Sequence, residues 1–124
     1  MTDLHFPPRE LAVMSVLWNL GSATVAEVRE HLDEELAYTS VLSALQTLEK
    51  KGYVRPEAEG RAYRYFPTVA ADKAGRSAIS RIKEAIFQGS TERMFAQLVS
   101  DKKLGREELE RMRQLLAERL GDES

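Results

Sequence analysis

The segment from Ala37 to Gly52 constrains the fold most, because it predicts one short helix with two chemically different faces. At about 100° per residue, its apolar side chains fall on one side and can be buried together, namely Val41, Ala44, Leu45 and Leu48. Polar side chains project from the opposite side, namely Thr39, Ser43, Gln46 and Lys50, with Ser40 and Thr47 flanking them. That polar side contains no acid. Hydroxyl and amide groups can reach base edges and lysine can reach phosphate, so the face suits either DNA or plain solvent.

The segment after this helix predicts a β-hairpin. Its pattern of aromatic, β-branched and polar residues indicates strands at residues 53–57 and 61–66, joined by a short turn. Pro56 predicts that the first strand lies at the edge of the sheet, because proline has no N–H to donate. Arg61 and Arg64 lie on this hairpin, where a long cationic side chain can meet a phosphate or a minor groove.

Two further helices are predicted before Ala37. Pro8 suits the first turn of the first helix, and Gly21 suits its end. The apolar stripe of this helix comprises Leu11, Met14, Val16, Leu17, Trp18 and Leu20. Thr24 and Glu27 have the spacing of a capping box, which starts a second helix that runs to about residue 32.

Residues 8–67 therefore run helix, helix, helix, hairpin, which is the order of a helix-turn-helix followed by a wing. The second helix of such a motif enters the major groove, and here it is the helix with the acid-free face. We predict a recognition helix at residues 39–51 and a wing at 53–67. The predicted DNA-binding residues are Thr39, Ser40, Ser43, Gln46, Thr47, Lys50, Arg61 and Arg64. Winged helices also serve as protein-interaction modules, so an adaptor without sequence-specific DNA binding is the alternative, with Leu42 as its candidate apolar anchor.

The rest of the chain predicts three amphipathic helices that cannot bury their apolar faces within so short a segment. Because they follow a hinge at residues 68–73, we expect a second copy of the chain to cover them rather than the winged helix. The predicted domains are a winged-helix DNA-binding domain at residues 1–70 and a helical dimerisation domain at 71–124, with a polar tail from 121. The predicted dimerisation residues are Ile79, Ile82, Ile86, Phe95, Leu98, Leu109, Met112 and Leu116.

Composition narrows the classes of function. The chain of 124 residues has no cysteine, which excludes disulfides, thiol nucleophiles and cysteine-type zinc sites. It has two histidines. It has no glycine-rich phosphate loop and no HExxH motif, so we expect no enzyme, no cofactor and no metal site. No apolar run approaches the ~20 residues of a bilayer span, and no secretory signal begins the chain, so we expect a cytoplasmic protein. Net charge is −2, but basic residues outnumber acidic ones in residues 37–65, which is compatible with DNA.

Several motifs follow one another in a characteristic order along nearly the whole chain. They are Glu10-Leu11-x-x-Met14-x-x-Leu17-Trp18, Tyr38-Thr39-Ser40-Val41, Leu48-Glu49-Lys50-Lys51-Gly52, Gly60-Arg61-Ala62-Tyr63-Arg64-Tyr65 and Gly105-Arg106-Glu107-Glu108-Leu109. In order and spacing, they resemble the BlaI/MecI penicillinase-repressor family, which also includes CopY-type copper repressors.

This resemblance implies a dimeric winged-helix repressor that binds inverted-repeat operators in double-stranded DNA. In the antibiotic-resistance members, a membrane-bound sensor metalloprotease leads to cleavage within the C-terminal domain. The candidate cleavage site aligns with Gln97 and Leu98, where those members have Asn-Phe. Members often have arginine or lysine at the position of Thr47, so DNA affinity or sequence preference is expected to differ here. The cysteine pairs of the copper branch are absent, which excludes copper sensing by that route.

Overall fold

The computed structural model describes residues 4–122 and is mainly helical, with one small antiparallel sheet of three strands. This architecture confirms the predicted fold class. The elements in chain order are α1 (Pro8–Leu20), β1 (Ala23–Thr24), α2 (Val25–His31), α3 (Tyr38–Lys50), β2 (Val54–Glu59), β3 (Ala62–Pro67), α4 (Ala71–Phe87), α5 (Thr91–Val99) and α6 (Arg106–Asp122).

The ends of the first two helices follow from local residue chemistry. Gly21 ends α1 with a φ of 87°, and its backbone N–H donates to the Leu17 carbonyl at 2.8 Å. Such a positive φ favours glycine because no Cβ is present to clash. The predicted capping box of α2 is formed: the Thr24 hydroxyl accepts from the Glu27 N–H, and the Glu27 carboxylate accepts from the Thr24 N–H.

The strands are arranged in the order β1-β3-β2, so β2 is an edge strand, as Pro56 predicts. The two-residue strand β1 was not predicted, because its sequence is too short to show a strand pattern. It pairs with β3, with Ala23 opposite Tyr65 and Thr24 opposite Arg64. This pairing joins the hairpin to the start of α2.

The hairpin turn differs from the prediction. Glu59 pairs with Ala62, so the turn consists of Gly60 and Arg61 rather than residues 58–60. Gly60 has a φ of 62°. A positive φ at the first of two turn residues is a feature of tight hairpin turns that match the twist of the strands. Arg61 therefore lies at the tip of the wing instead of inside a strand.

The core lies among the helices and sheet of the winged helix. Its buried residues are Leu4, Phe6, Val13, Met14, Val16, Leu17, Ala23, Val25, Val28, Val41, Ala44, Leu45, Leu48, Val54, Tyr65 and Ala74. The predicted stripe of α1 was wrong at two positions, since Leu11 and Leu20 are both exposed. Leu11 lies on the side of α1 opposite Val13, whereas Leu20 lies on the same side as Val13 and Leu17 but at the last residue of the helix.

An aromatic cluster joins the N-terminal segment to α1 and to the start of the wing. The Phe6 ring meets Trp18 edge-on, with centroids 6.0 Å apart, and lies 5.0 Å from the Tyr53 ring. The Trp18 indole N–H donates to the Val69 carbonyl at 2.8 Å. Trp18 is half-buried and packs against the core, in agreement with its place in the predicted stripe.

The chain divides into two compact units between Ile79 and Ser80, inside α4. The sequence placed the domain boundary earlier, at residue 70. Ala74 is buried in the core of the first unit, and the Ser77 hydroxyl donates to the Leu4 carbonyl at 3.4 Å. The first turns of α4 therefore belong to the winged-helix unit.

The second unit comprises the end of α4 together with α5 and α6. From Ser80 to Gly121, none of the described side chains is buried. Ser90 caps α5 by accepting a hydrogen bond from the Arg93 N–H. The predicted polar tail is wrong at its start, because α6 continues through Gly121 to Asp122. Residues 123–124 lie outside the described part of the chain.

Candidate nucleic-acid interface

Helix α3 has one fully buried face and one exposed polar face. Val41, Leu45 and Leu48 are completely buried, which fixes the rotation of the helix about its axis. The exposed residues on the opposite face are Thr39, Ser43, Gln46 and Lys50, and Ser40 and Thr47 are half-buried on its flanks. The structure thus brings together all the predicted DNA-binding residues of this helix on one accessible surface.

Two acids border this surface. Glu10 of α1 borders a shallow groove beside Thr39 and Ser43, but its carboxylate pairs with the Lys51 ammonium at 2.8 Å. Glu49 lies at the edge of the polar face, where it lines the groove toward the wing and also a groove shared with Gln46 and Lys50. The surface is therefore accessible to a polyanion, because its central residues are neutral or cationic.

The wing approaches α3 across a second groove. Tyr38, Leu42 and Gln46 line this groove from the helix, and Arg61 and Tyr63 line it from the hairpin. Arg61 is exposed at the turn and has no ion pair among the described residues. A cation at that position is available to a ligand that lies along α3.

Arg64 has a different environment from the one its sequence position predicts. Its guanidinium Nη1 lies 3.0 Å from Glu27 Oε1, and its Nε lies 3.0 Å from Glu59 Oε1. The pKa of Arg64 is raised by hydrogen bonds to Glu59 and then to Glu27. The pKa of Glu27 is held below its ordinary value, first by the Thr24 backbone N–H and then by Arg64. The sequence placed Arg64 free for phosphate, whereas the fold supplies it with two carboxylates.

Sequence reasoning missed Glu27 and Glu59 as partners of Arg64. Glu27 was identified as a capping residue, but nothing in its local sequence indicates that a β3 side chain reaches it. Thr24 of β1 pairs with Arg64 of β3, and this pairing brings the Arg64 side chain close to Glu27. Tyr38 and Tyr63 were also missed, and both are exposed beside the groove.

The predicted dimerisation residues lie on α4, α5 and α6. In the single chain Met112 is half-buried, while the others are exposed. Exposed large apolar side chains in such number are unusual for a surface that only contacts water. Their role in dimerisation stays a prediction.

Gln97 and Leu98 lie inside α5, and both are exposed. The Gln97 carbonyl accepts a hydrogen bond from the Ser100 hydroxyl at 2.8 Å. Cleavage at this position by a sensor metalloprotease stays a prediction of the family resemblance.

Over residues 4–122, no three His, Cys, Asp or Glu side chains are grouped so as to hold a metal ion. Each helix in the same residues is too short or too polar to traverse a lipid bilayer.

Comparison with known proteins agrees with this geometry. Residues 6–118 match the family model described as penicillinase repressor. The chain is 35% identical over 114 residues to a protein of Mycobacterium tuberculosis (strain CDC 1551 / Oshkosh) named transcriptional regulator BlaI, covering 88% of this chain and 80% of that protein.

Solved structures give the same result for the fold. The DNA-binding domain of the repressor BlaI, solved in solution, matches with a TM-score of 0.51 and 28% identity, over 56% of this chain and 88% of that one. A MarR family protein from Bacillus stearothermophilus matches with a TM-score of 0.52 and 18% identity, over 96% of this chain and 76% of that one, which supports the fold alone. The resemblance drawn from the sequence motifs is confirmed, and the chain belongs to the penicillinase repressor family.

Proposed function

We propose that the protein is a homodimeric transcriptional repressor that binds an inverted-repeat operator in double-stranded DNA. The main observation is the accessible, acid-free face of α3, whose opposite face is fully buried. A helix fixed in this way can present the same side chains to every major groove that it enters. Family membership supports the same function, because the BlaI proteins that the chain resembles are named as regulators or repressors.

The exposed residues of α3 divide by their chemistry. Thr39 and Ser43 lie in the first turns, where a helix docked in the major groove presents side chains to base edges. Gln46 offers an amide that suits adenine, and Lys50 offers a charge that suits phosphate. Thr47, half-buried on the flank, supplies a hydroxyl and a methyl group.

The homodimer is supported by the exposed apolar residues of the second unit. Ile82, Ile86 and Leu98 are among the large hydrophobic side chains exposed there. A second copy of the chain would bury them and would present two recognition helices to DNA. Two-fold symmetry in the protein then requires two-fold symmetry in the operator, with half-sites about one helical turn apart or a multiple of it.

The test is footprinting of the full-length protein on the promoter region of its own gene. We expect protection of two inverted half-sites, and weaker binding to a scrambled duplex of equal length by roughly 10³-fold or more. Equal affinity for promoter and scrambled DNA would contradict sequence-specific repression.

A second candidate function is a protein–protein adaptor. It draws on Tyr38 and Tyr63, which are 47% and 56% exposed on the two sides of the groove, with half-buried Leu42 between them. An adaptor would lose partner binding when these residues are changed and would show no preference among DNA sequences. The footprinting result therefore distinguishes the two functions.

A further inference from the structure

Arg64 is the only described residue of the wing whose side chain reaches the helix-turn-helix through an ion pair. Its Nη1 and Nη2 approach the two carboxylate oxygens of Glu27 at 3.0 Å and 3.3 Å. Its Nε and Nη2 approach the two oxygens of Glu59 at 3.0 Å and 3.1 Å. Nη1 also lies 3.3 Å from the Ser22 hydroxyl.

These contacts join two structural elements of the winged helix. Glu27 belongs to the capping box at the start of α2, and Glu59 is the last residue of β2 before the turn. Arg64 therefore connects the end of β2, beside the hairpin turn, to α2, the first helix of the helix-turn-helix. A bidentate contact between a guanidinium and a carboxylate is favourable and also requires a defined geometry. The two contacts therefore restrict the orientation of Arg64 relative to Glu27 and Glu59.

The same contacts make Arg64 a poor ligand for DNA. All three guanidinium nitrogens donate to protein groups, and a phosphate would have to displace a carboxylate to bind. One cation beside two carboxylates also leaves the cluster with a net negative charge, which repels phosphate. Arg61, three residues earlier, is exposed at the turn and is not paired with any described acid.

On the basis of the DNA-binding function proposed above, we propose that Arg64 is a positioning residue. It holds the wing tip against α2 so that Arg61 meets the DNA backbone, and it does not contact DNA itself. The guanidinium is held in place from both sides, because Glu27 and Glu59 each lie 3.0 Å from one of its nitrogens.

A double-mutant cycle on the full-length protein tests the proposal. Affinity and its salt dependence are measured on a random-sequence duplex for the parent, Arg61→Ala, Arg64→Ala and the double variant. We expect Arg61→Ala to reduce the salt slope by about 0.9, the value for one lost phosphate contact. Arg64→Ala should reduce the slope equally and weaken binding roughly 2- to 150-fold, the range in which network neighbours couple. The double variant should bind like Arg61→Ala alone.

A residue that only stabilises the fold would weaken binding in both backgrounds by the same factor. A residue that itself contacts phosphate would lower the slope of the double variant by about two units. Either result overturns the proposal, as does an Arg64→Ala protein that binds like the parent.

A second pair of variants does not depend on the folding of Arg64→Ala. Glu59→Gln removes a partner of Arg64, whereas Glu57→Gln removes the same charge from the same strand but pairs with Arg55 instead, at 2.8 Å. We expect Glu59→Gln to bind random DNA more weakly than Glu57→Gln, because the wing tip loses its support. Equal or tighter binding by Glu59→Gln would mean that the acid restrains a DNA-binding arginine, which overturns the proposal.

The two proposals fail in different ways. If the parent protein does not bind duplex DNA, the proposed function is refuted and this inference with it. If the parent binds and the cycle is additive, the function stands and only the role of Arg64 is wrong.

Discussion

Thr39 and Ser43 lie one helical turn apart and are exposed, while Val41 between them is completely buried. This alternation separates the part of the helix that supports the fold from the part that can contact a ligand. Changes at the exposed positions should therefore affect binding and leave the free energy of unfolding nearly unchanged.

We predict that Thr39→Ala and Ser43→Ala each weaken operator binding by about 1–3 kcal/mol, the value of a good base contact. Binding to a scrambled duplex should change little, since the lost contacts are with base edges. The measurement is a titration of each variant against both duplexes at fixed salt.

Lys50→Ala is the matched control on the same face, because the loss of a phosphate contact should weaken binding to both duplexes alike. Circular dichroism checks that all three variants fold. Folded Thr39→Ala and Ser43→Ala proteins that bind operator as tightly as the parent would show that α3 does not read the sequence.

Glu27 gives a prediction about pH. Its pKa is lowered from the ordinary value in the folded protein, by the Thr24 N–H first and Arg64 second. A depressed carboxyl pKa stabilises the fold above the unfolded-state pKa, and this contribution is lost as pH falls through the folded pKa. We therefore expect the free energy of unfolding to decrease as pH falls below the ordinary pKa of a glutamate, and to decrease less in Glu27→Gln. Urea unfolding followed by circular dichroism at several acidic pH values measures both.

Glutamine is the suitable replacement because its amide oxygen can still accept the Thr24 N–H in a capping box. The variant thus removes the titrating group and keeps the cap. Parallel pH dependence in the two proteins would assign the acid sensitivity to other carboxyl groups.

The residues of α3 could be predicted because helical periodicity alone decides which side chains share a face. The ion pairs of Arg64 could not, because they depend on where β3 pairs in three dimensions. No local pattern in the two residues of β1 indicates a strand, yet this strand brings Arg64 beside Glu27. The error at Leu11 and Leu20 has a similar origin, since a broad apolar stripe does not show which part of it tertiary packing will cover.

Among the elements, the helices of the second unit differ from α1 to α3 in having exposed apolar faces. Ile82 is 44% exposed on α4, and Ile86, four residues later on the same face, is 60% exposed. Burial of such side chains at an interface is favourable because apolar surface leaves water.

We predict that Ile82→Gln raises the dissociation constant of the homodimer about tenfold or more, which corresponds to ~1.4 kcal/mol. The substitution is present twice in a symmetric dimer, which increases its effect on the dissociation constant. Sedimentation velocity over a range of protein concentrations measures the constant.

Leu20→Gln is a matched control, because Leu20 is also 44% exposed but lies at the end of α1 in the first unit. It should leave the dimer unchanged. If the two variants dissociate to the same extent, the apolar face of α4 has no special part in self-association.

On the scale of the whole molecule, the division between Ile79 and Ser80 changes where the chain should be cut. A fragment that ends at residue 70 would lack Ala74, which is buried in the core of the winged helix. Residues 1–79 retain this contact and omit most of the exposed apolar residues of the C-terminal helices.

We predict that the fragment of residues 1–79 folds, is monomeric and binds operator more weakly than the full-length protein by a factor of roughly 10²–10⁴, the usual gain from joining two binding modules. Sedimentation gives its mass and a titration gives its affinity. A dimeric fragment would place the self-association surface within the winged helix.

The order of the elements was predicted correctly because each has its own periodicity and end signals. The burial of Ala74 in the first unit was not predicted, because it is a property of the folded unit rather than of the residues around it. Likewise, amphipathic periodicity identified the apolar faces of the last helices without indicating what buries them.

The contact of Trp18 with the Val69 carbonyl also gives the protein an intrinsic fluorescence probe. Trp18 is the single tryptophan of the chain, and its indole N–H is bound where the wing leads into α4. Indole emission shifts to longer wavelength when water replaces a protein environment. The emission wavelength of Trp18 therefore reports whether its indole stays in contact with this part of the protein. A shift in that wavelength when DNA is added would show that DNA binding changes the surroundings of Trp18.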